Sequence, residues 1–231
     1  MKKIIVLSLG GSLVIPNKVN VEFLEQFRRV LIKNSQRYKF VVVCGGGQTS
    51  RNYIEGLEKQ KISPAKKQSL QSFLGISSTR LNARFMTYFF GKDANKGMPH
   101  DMKDVYDYLI KNDIVFCGAL RYAKNQTSDA TAARLAHYFN TIFINLTNVK
   151  GVYDKNPKKF RSAKFIPEIS HSDFYKMANK TAFHPGQHFV LDQTAAKIIK
   201  EYNIPTYILG DSPKELDNLL NRRHFVGSVI G

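Results

Sequence analysis

The chain has 231 residues, of which 43% are hydrophobic, enough for one α/β domain or two small ones with a sizeable core. Its 35 lysines and arginines against 18 acidic residues give a charge of +17, which attracts anionic ligands. No zinc-finger, RNP or basic-zipper pattern accompanies that charge, so a dedicated nucleic-acid role is not expected. No apolar run reaches the ~20 residues of a membrane span, so we expect no membrane-spanning helix and no membrane partner.

The first elements alternate between strand and helix. Residues 3–9 form a continuous apolar run, typical of a strand buried on both faces. Two glycines and a serine at 10–12 interrupt this run, which favours a first strand over a signal peptide. Apolar residues at helical spacing predict a helix over 21–34, and residues 39–44 read as a second buried strand.

Three consecutive glycines, Gly45, Gly46 and Gly47, follow the second predicted strand and precede a polar, helix-like segment. Glycine weakens regular structure, so such a run serves a special backbone shape or a close approach. One reading is a tight strand-to-helix turn. The other is a phosphate cradle, in which bare backbone N–H groups face an anion at a helix N-terminus.

The rest of the chain continues the alternation without a clear linker or repeat, which predicts one domain over 1–231. Strands alternating with helices predict an α/β fold, a three-layer α-β-α sandwich with a mainly parallel central sheet. In such sheets, ligands bind beyond the carboxyl ends of the strands. The remaining predicted elements are helices at about 64–91, 101–112, 129 onward, 188–202 and 213–221, and strands at 114–117, 141–146, 205–209 and 224–230.

The two cysteines, Cys44 and Cys117, each end a predicted strand. They show neither the spacing of a metal site nor a disulfide framework, so we interpret them as buried free thiols. Free thiols persist in reducing compartments, and a cytoplasmic location follows.

Two further stretches suggest a nucleotide site. The stretch QTSDATAARLA (126–136) places Asp129 at a helix start, where it is either an ordinary first-turn residue or a group that orients a transferring phosphoryl group. The stretch TNVKGVYDKNP (147–157) is either a plain loop with an Asn-Pro turn or a nucleotide site with Tyr153 against the base.

Together these stretches resemble the amino acid kinase family, and within it the UMP kinases of archaeal type. The resemblance covers nearly the whole chain. Its motifs are LGGS (9–12), GGGQTSR (45–51), LGISSTRLNA (74–83), TSDATAA (127–133), TNVKGVYDKNP (147–157), LDQTAAKII (191–199), IPTYILG (204–210) and the terminal GSVI (227–230).

The resemblance implies an amino acid kinase-like fold and transfer of the γ-phosphoryl group of ATP to UMP, with Mg²⁺ accompanying ATP, in pyrimidine nucleotide biosynthesis. It implies an acceptor-binding part over about 1–140, an ATP-binding part over about 141–231, and self-association into a homohexamer built from dimers. The implied catalytic residues are Gly10, Gly11, Ser12 and Asp129. The implied acceptor-binding residues are Gly46, Ser72, Gln126 and Thr127. The implied ATP-binding residues are Ser8, Gly47, Arg51, Thr147, Asn148, Tyr153 and Asn156, among which Arg51 pairs with a phosphate.

Four positions depart from the family pattern. Ser8 stands where many members have lysine, Ser72 replaces an aspartate of the acceptor ribose site, and Lys150 and Asn156 replace two loop aspartates. These departures leave two alternatives open. One is a kinase of the same fold for another phosphorylated acceptor, such as isopentenyl phosphate, and the other is a non-catalytic nucleotide-binding relative. We hypothesise that Lys150 reaches the ATP phosphates and offsets the charge missing at Ser8, against the alternative that it points into solvent.

Overall fold

The computed structural model describes residues 2–121, 127–180 and 190–231. Its strands are β1 (Lys3–Leu9), β2 (Tyr38–Cys44), β3 (Ile114–Cys117), β4 (Phe143–Leu146), β5 (Val152–Tyr153), β6 (Phe165–Ile166), β7 (Glu168–Ile169), β8 (Thr206–Leu209) and β9 (Gly227–Ile230). Its α-helices are α1 (Gly11–Val14), α2 (Val21–Asn34), α3 (Gly47–Glu58), α4 (Pro64–Phe90), α5 (Met102–Lys111), α6 (Ser128–Tyr138), α7 (His171–Asn179), α8 (Gln193–Glu201) and α9 (Pro213–Leu220).

Most strands of the described residues form one central sheet in the order β3-β2-β1-β4-β8-β9-β7, while β5 and β6 form a separate antiparallel hairpin. The five strands from β3 to β8 are parallel to their neighbours. The strand β9 runs antiparallel to β8, and β7 runs parallel to β9. The mainly parallel sheet predicted from the sequence is therefore confirmed.

Helices cover both faces of this sheet. Because side chains alternate along a strand, Val6 of β1 packs into the core under α5, α6, α7 and α8, whereas Ile5 and Leu7 pack under α1, α2, α4 and α9. Burial on both faces is the reason why the central strands read as continuous apolar runs. The predicted three-layer arrangement is confirmed.

The region from 150 to 180 differs from the prediction, which left it without secondary structure. The strands β5, β6 and β7 have only two residues each, too few for an alternating pattern. The helix α7 is mostly polar and buries Phe174 and Ala178. Its start carries a signal that the prediction missed, since the Ser170 side chain accepts a hydrogen bond from the backbone N–H of Asp173.

Several predicted boundaries also shift by a few residues. The strand predicted from 141 begins at Phe143, and the one predicted from 224 begins at Gly227. Within the described residues, the helix predicted over 188–202 begins at Gln193, because Asp192 caps it. No helix in the part of the chain that the structure describes is long and apolar enough to cross a membrane.

Candidate active site

The candidate site lies at the carboxyl ends of β1, β2 and β4. The chain winds outward from β1 in both directions, through β2 and β3 on one side and through β4 and β8 on the other. Such a reversal opens a crevice beyond the strand ends. The predicted glycine turns and the loop that starts at Thr147 follow these strands, so the topology brings them to one edge.

The two glycine turns are in direct backbone contact. A Cβ atom on Gly11 would overlap the amide nitrogen of Gly47 and would lie 2.7 Å from the carbonyl carbon of Gly45. A Cβ atom on Gly45 would in turn lie 2.5 Å from the nitrogen of Gly11. Gly47 also has a positive φ of 62°. Only glycine fits this junction, which answers why the chain carries consecutive glycines after both strands.

The same junction presents the start of α3. This helix begins at Gly47 with Gly46 as its N-cap, and no side chain caps its first turn. Uncapped N–H groups at a helix start can bind an anion. One turn along the helix, the exposed Arg51 donates from Nε and Nη2 to the neutral side-chain oxygen of Gln48, at 3.0 and 2.8 Å. Its charge has no acidic partner among the residues described, so it remains available for a phosphate.

The helix α4 braces two of the loops around the crevice. Asn82 donates from Nδ2 to the carbonyl oxygen of Gly45 at 2.7 Å, and Asn82 is buried. Arg80 donates to the carbonyl oxygens of Ala119 and Leu120, at 3.0 and 2.6 Å. The sequence singled out the TRLNA stretch as a family motif but assigned these two residues no role. Their contacts fix the glycine turn and the loop after β3 relative to each other.

Asp129 lies beside β1 in the first turn of α6. The fully buried Ser8 of β1 donates from Oγ to Oδ1 of Asp129 at 2.6 Å. The pKa of Asp129 is raised to about 7, mainly by burial and also by the negative charge of Asp192, while the bond from Ser8 opposes the rise. A carboxyl with a shifted pKa at the edge of a ligand crevice is typical of a functional site.

A second carboxylate, Asp192, joins the starts of two helices. Thr127, the N-cap of α6, donates from Oγ1 to one carboxylate oxygen of Asp192. The other oxygen accepts from the backbone N–H groups of Thr194 and Ala195 at the start of α8, at 2.8 and 3.0 Å. Sequence reasoning assigned no role to Asp192. Its place before the helical pattern of LDQTAAKII is the N-cap signal that could have found it.

Four of the seven residues predicted for ATP follow β4, in the loop after this strand and in the hairpin of β5 and β6. Thr147 donates its backbone N–H to the carbonyl oxygen of Leu209 at 2.9 Å, and Asn148 is exposed. The Tyr153 ring packs edge-on against Phe165 with ring centroids 5.5 Å apart. Asn156 accepts from the backbone N–H of Lys158 at 2.9 Å, so its side chain shapes the turn that follows.

Ser12, partly buried in α1, follows Gly11 of the junction directly. Ser72, on α4, donates to the carbonyl oxygen of Gln68 in its own helix at 2.9 Å. Lys150 is exposed, and its backbone lies against Gly210 after β8, on the ligand side of the sheet. Gln126 lies outside the described residues.

Known proteins resemble this chain over its whole length. A model of the amino acid kinase family matches residues 3–210. The uridylate kinase of Methanococcus aeolicus is 32% identical over 98% of this chain and 98% of its own. The crystal structure of uridylate kinase from Archaeoglobus fulgidus, 32% identical, covers 100% of both chains with a TM-score of 0.83. The UMP kinase of Ureaplasma parvum, 20% identical, shares the fold with a TM-score of 0.77 over 100% of this chain and 99% of its own.

Proposed function

This chain belongs to the amino acid kinase family, and we propose that it transfers the γ-phosphoryl group of ATP to UMP, giving ADP and UDP for pyrimidine nucleotide biosynthesis. The observation that carries the proposal is the backbone contact between Gly11 and Gly47. It sets two glycine turns side by side. A phosphate bound at one turn therefore lies next to a phosphate bound at the other. The full-length likeness to uridylate kinases at 32% identity supports UMP as the acceptor.

Catalysis at this junction is positioning and charge stabilisation, with no covalent intermediate. Gly46 and Thr127 hold the acceptor phosphate, and Arg51 pairs with a phosphate through its planar guanidinium. The backbone of Gly10, Gly11 and Ser12 faces the transferring group. These positions are fixed in advance by the contacts with α4 and by the Thr127–Asp192 bond, so little ordering is left for the substrates to induce.

On the ATP side, Thr147 and Asn148 lie in the loop after β4, Tyr153 lies in β5, and Gly47 contributes its backbone at the junction. The fully buried Ser8 lies under this region through its bond to Asp129. Asp129 orients the reacting groups from the start of α6. Burial and the neighbouring Asp192 raise its pKa, and a cationic ligand bound nearby would favour its charged form.

Mg²⁺ enters with the nucleotide in this proposal. Among the described residues, no group of three or more His, Cys, Asp or Glu side chains could hold a metal ion. Mg²⁺ in kinases commonly takes its ligands from substrate phosphates and only one or two carboxylates, and the sparse acidic side chains of this crevice fit that mode. When bound, the ion neutralises charge on the phosphate oxygens.

The acceptor is tested by measuring ADP release with each nucleoside monophosphate and with isopentenyl phosphate. We expect turnover with UMP and at least about ten-fold lower kcat/KM with the other acceptors, or roughly 1.4 kcal/mol of discrimination. Turnover with isopentenyl phosphate and none with UMP would show that the acceptor is isopentenyl phosphate. ATP binding without turnover on any acceptor would make it a non-catalytic relative.

We further infer that the protein self-associates, as a homohexamer built from dimers, through the exposed side of α4. Phe73, Leu81 and Tyr88 project from one side of this helix and are 49, 58 and 72% exposed. Large apolar side chains grouped on one surface mark an interface. Sedimentation velocity should give a mass above one protomer, and Leu81→Glu should lower it, whereas Ile110→Glu on α5 should not. A monomeric wild-type protein would contradict this inference.

The ATP-binding half of the proposed site begins near residue 141 and the acceptor-binding half ends near residue 140, within one domain that spans 1–231.

We also propose a cytoplasmic location. Cys44 and Cys117 are free and buried at the ends of neighbouring strands, and burial raises the pKa of both thiols, which keeps them unreactive. Unpaired thiols are typical of a reducing compartment.

A further inference from the structure

The loop between β5 and β6 concentrates positive charge. Residues 154–164 contain five cations and a single acid, Asp154. None of the five forms an ion pair with any acidic residue among those described, although several other lysines and arginines of the chain do. All five are exposed, so their charges face solvent together. The five cations are Lys155, Lys158, Lys159, Arg161 and Lys164.

The loop is held in one shape by its own hydrogen bonds. Asp154 and Lys164 exchange two bonds: the Lys164 N–H donates to Oδ1 of Asp154 at 2.8 Å, and the Asp154 N–H donates to the Lys164 carbonyl at 3.1 Å. The carbonyl of Asn156 accepts from the N–H of Phe160 at 3.0 Å. At the base, Ser228 of β9 accepts from the N–H of Val152 at 2.8 Å and donates to the carbonyl of Ile166. The cations therefore project from an ordered hairpin anchored to the sheet.

An aromatic ring sits among these charges. Phe160 is 51% exposed although it is one of the larger apolar side chains of the protein, and the ammonium of Lys155 lies 5.8 Å from its ring centroid. An isolated exposed phenylalanine needs no explanation, but a ring flanked by cations at the tip of a rigid hairpin has the two components of a single-strand binding surface. These are a face for base stacking and charges for the phosphates.

We propose that this basic hairpin, residues 154–164, binds single-stranded nucleic acid. A membrane surface fits less well, because apart from Phe160 the exposed side chains of the hairpin are charged or small and offer little apolar area to bury. A duplex would use the cations but leave the Phe160 ring without a base to stack on. Asn156, one of the residues predicted for ATP, lies in this hairpin, so the test distinguishes binding of nucleic acid from a contribution to ATP binding.

The test is fluorescence anisotropy with a labelled mixed-sequence RNA of about 12 nucleotides, with excess UMP and ADP to keep the nucleotide sites filled. The triple variant Lys158→Glu/Lys159→Glu/Arg161→Glu should weaken binding at about 0.15 M salt by ten-fold or more and lower the slope of log Kd against log salt by about 2. Phe160→Ala should weaken binding about five-fold without changing that slope.

A matched control separates the hairpin from the overall positive field. Lys59→Glu/Lys61→Glu/Lys66→Glu changes the net charge by the same amount at three exposed lysines that also make no ion pair in the described residues. We expect it to change the affinity by about two-fold or less. Three results would overturn the proposal. They are equal losses of RNA affinity in the two triple variants, equal affinity for a duplex, or wild-type RNA affinity in Phe160→Ala. A rise in KM for ATP in the hairpin variants, with RNA binding unchanged, would assign the hairpin to ATP instead.

Discussion

Replacing Asp129 with asparagine should abolish most of the turnover while making the folded protein more stable at pH 8. The amide oxygen of the substituted side chain can still accept the hydrogen bond from Ser8, so the geometry at the start of α6 is retained. What is lost is the negative charge that orients the reacting groups. Removal of one such electrostatic contact typically lowers kcat by about 10²–10³-fold. Steady-state ADP release at saturating ATP and UMP measures this loss.

The gain in stability follows from the raised pKa. Below the ordinary aspartate pKa of 3.8, Asp129 is protonated in both the folded and the unfolded chain and contributes nothing. As the pH rises, the unfolded chain ionises first, so the wild-type protein loses stability relative to Asp129→Asn until the folded-state pKa of about 7 is passed. We expect the variant to gain about 1–2 kcal/mol at pH 8, or roughly 2–8 °C in Tm, and almost nothing at pH 4.

Asp173 provides the matched control. It also lies in the first turn of a helix, α7, but hydrogen bonds from Lys176 and Ser170 lower its pKa. Asp173→Asn should therefore lose stability at neutral pH, where Asp129→Asn gains it, and should leave turnover unchanged. A fully active Asp129→Asn variant would show that Asp129 is an ordinary helix-start residue without a role in catalysis.

The same carboxyl should set the acid limb of the pH profile. In the free enzyme, log kcat/KM for ATP should fall below about pH 7 as Asp129 takes up a proton. Because the bond from Ser8 lowers this pKa, Ser8→Ala should move the limb to higher pH and reduce the rate at pH 7 more than at pH 9. If the acid limb of the pH profile lies at the same pH in Ser8→Ala as in the wild-type protein, a group other than Asp129 sets it.

The predictable parts of the fold share one physical cause. Strands buried on both faces leave long apolar runs, so β1 and β2 could be placed within a residue, and the glycines after them mark the strand ends. The hairpin of β5 and β6 has no corresponding apolar run in the sequence. It is held by single contacts, such as those of Ser228 and Asp154, which link positions far apart in the sequence or use side chains common in any loop.

The candidate site divides in the same way. Asp129 and Thr127 stand out because they occupy a helix start, a local pattern. The pairing of Asp129 with Ser8 spans 121 positions, and that of Thr127 with Asp192 spans 65, so neither could be read from spacing. The bracing by Arg80 and Asn82 is likewise a tertiary contact between α4 and two loops. Sequence identifies the residue types, whereas the fold decides which of them meet.

The second large effect is expected at the glycine junction. Gly11→Ala places a Cβ atom against backbone only: it overlaps the amide nitrogen of Gly47 and lies 2.6 Å from the Cα of Gly47. No rotamer change can relieve this overlap, so the two turns must separate. We expect a loss of about 3 kcal/mol or more in the free energy of unfolding, at the upper end of overpacking effects. A displacement of about 1 Å at the reacting groups should lower turnover by a further 10²-fold.

Gly56→Ala is the control for the residue change itself. Gly56 lies in α3, like Gly47, but a Cβ atom there meets nothing within 4 Å. Alanine favours a helix interior, so this variant should gain about 0.5–1 kcal/mol and keep full turnover. Gly45→Ala approaches the same junction from the other side, with its Cβ atom 2.5 Å from the nitrogen of Gly11, and should repeat both losses. Urea denaturation followed by ADP-release assays on the folded fraction distinguishes the outcomes. Wild-type stability and turnover in Gly11→Ala would mean that the two turns do not touch in solution, and the proposed meeting point of the phosphates would have to lie elsewhere.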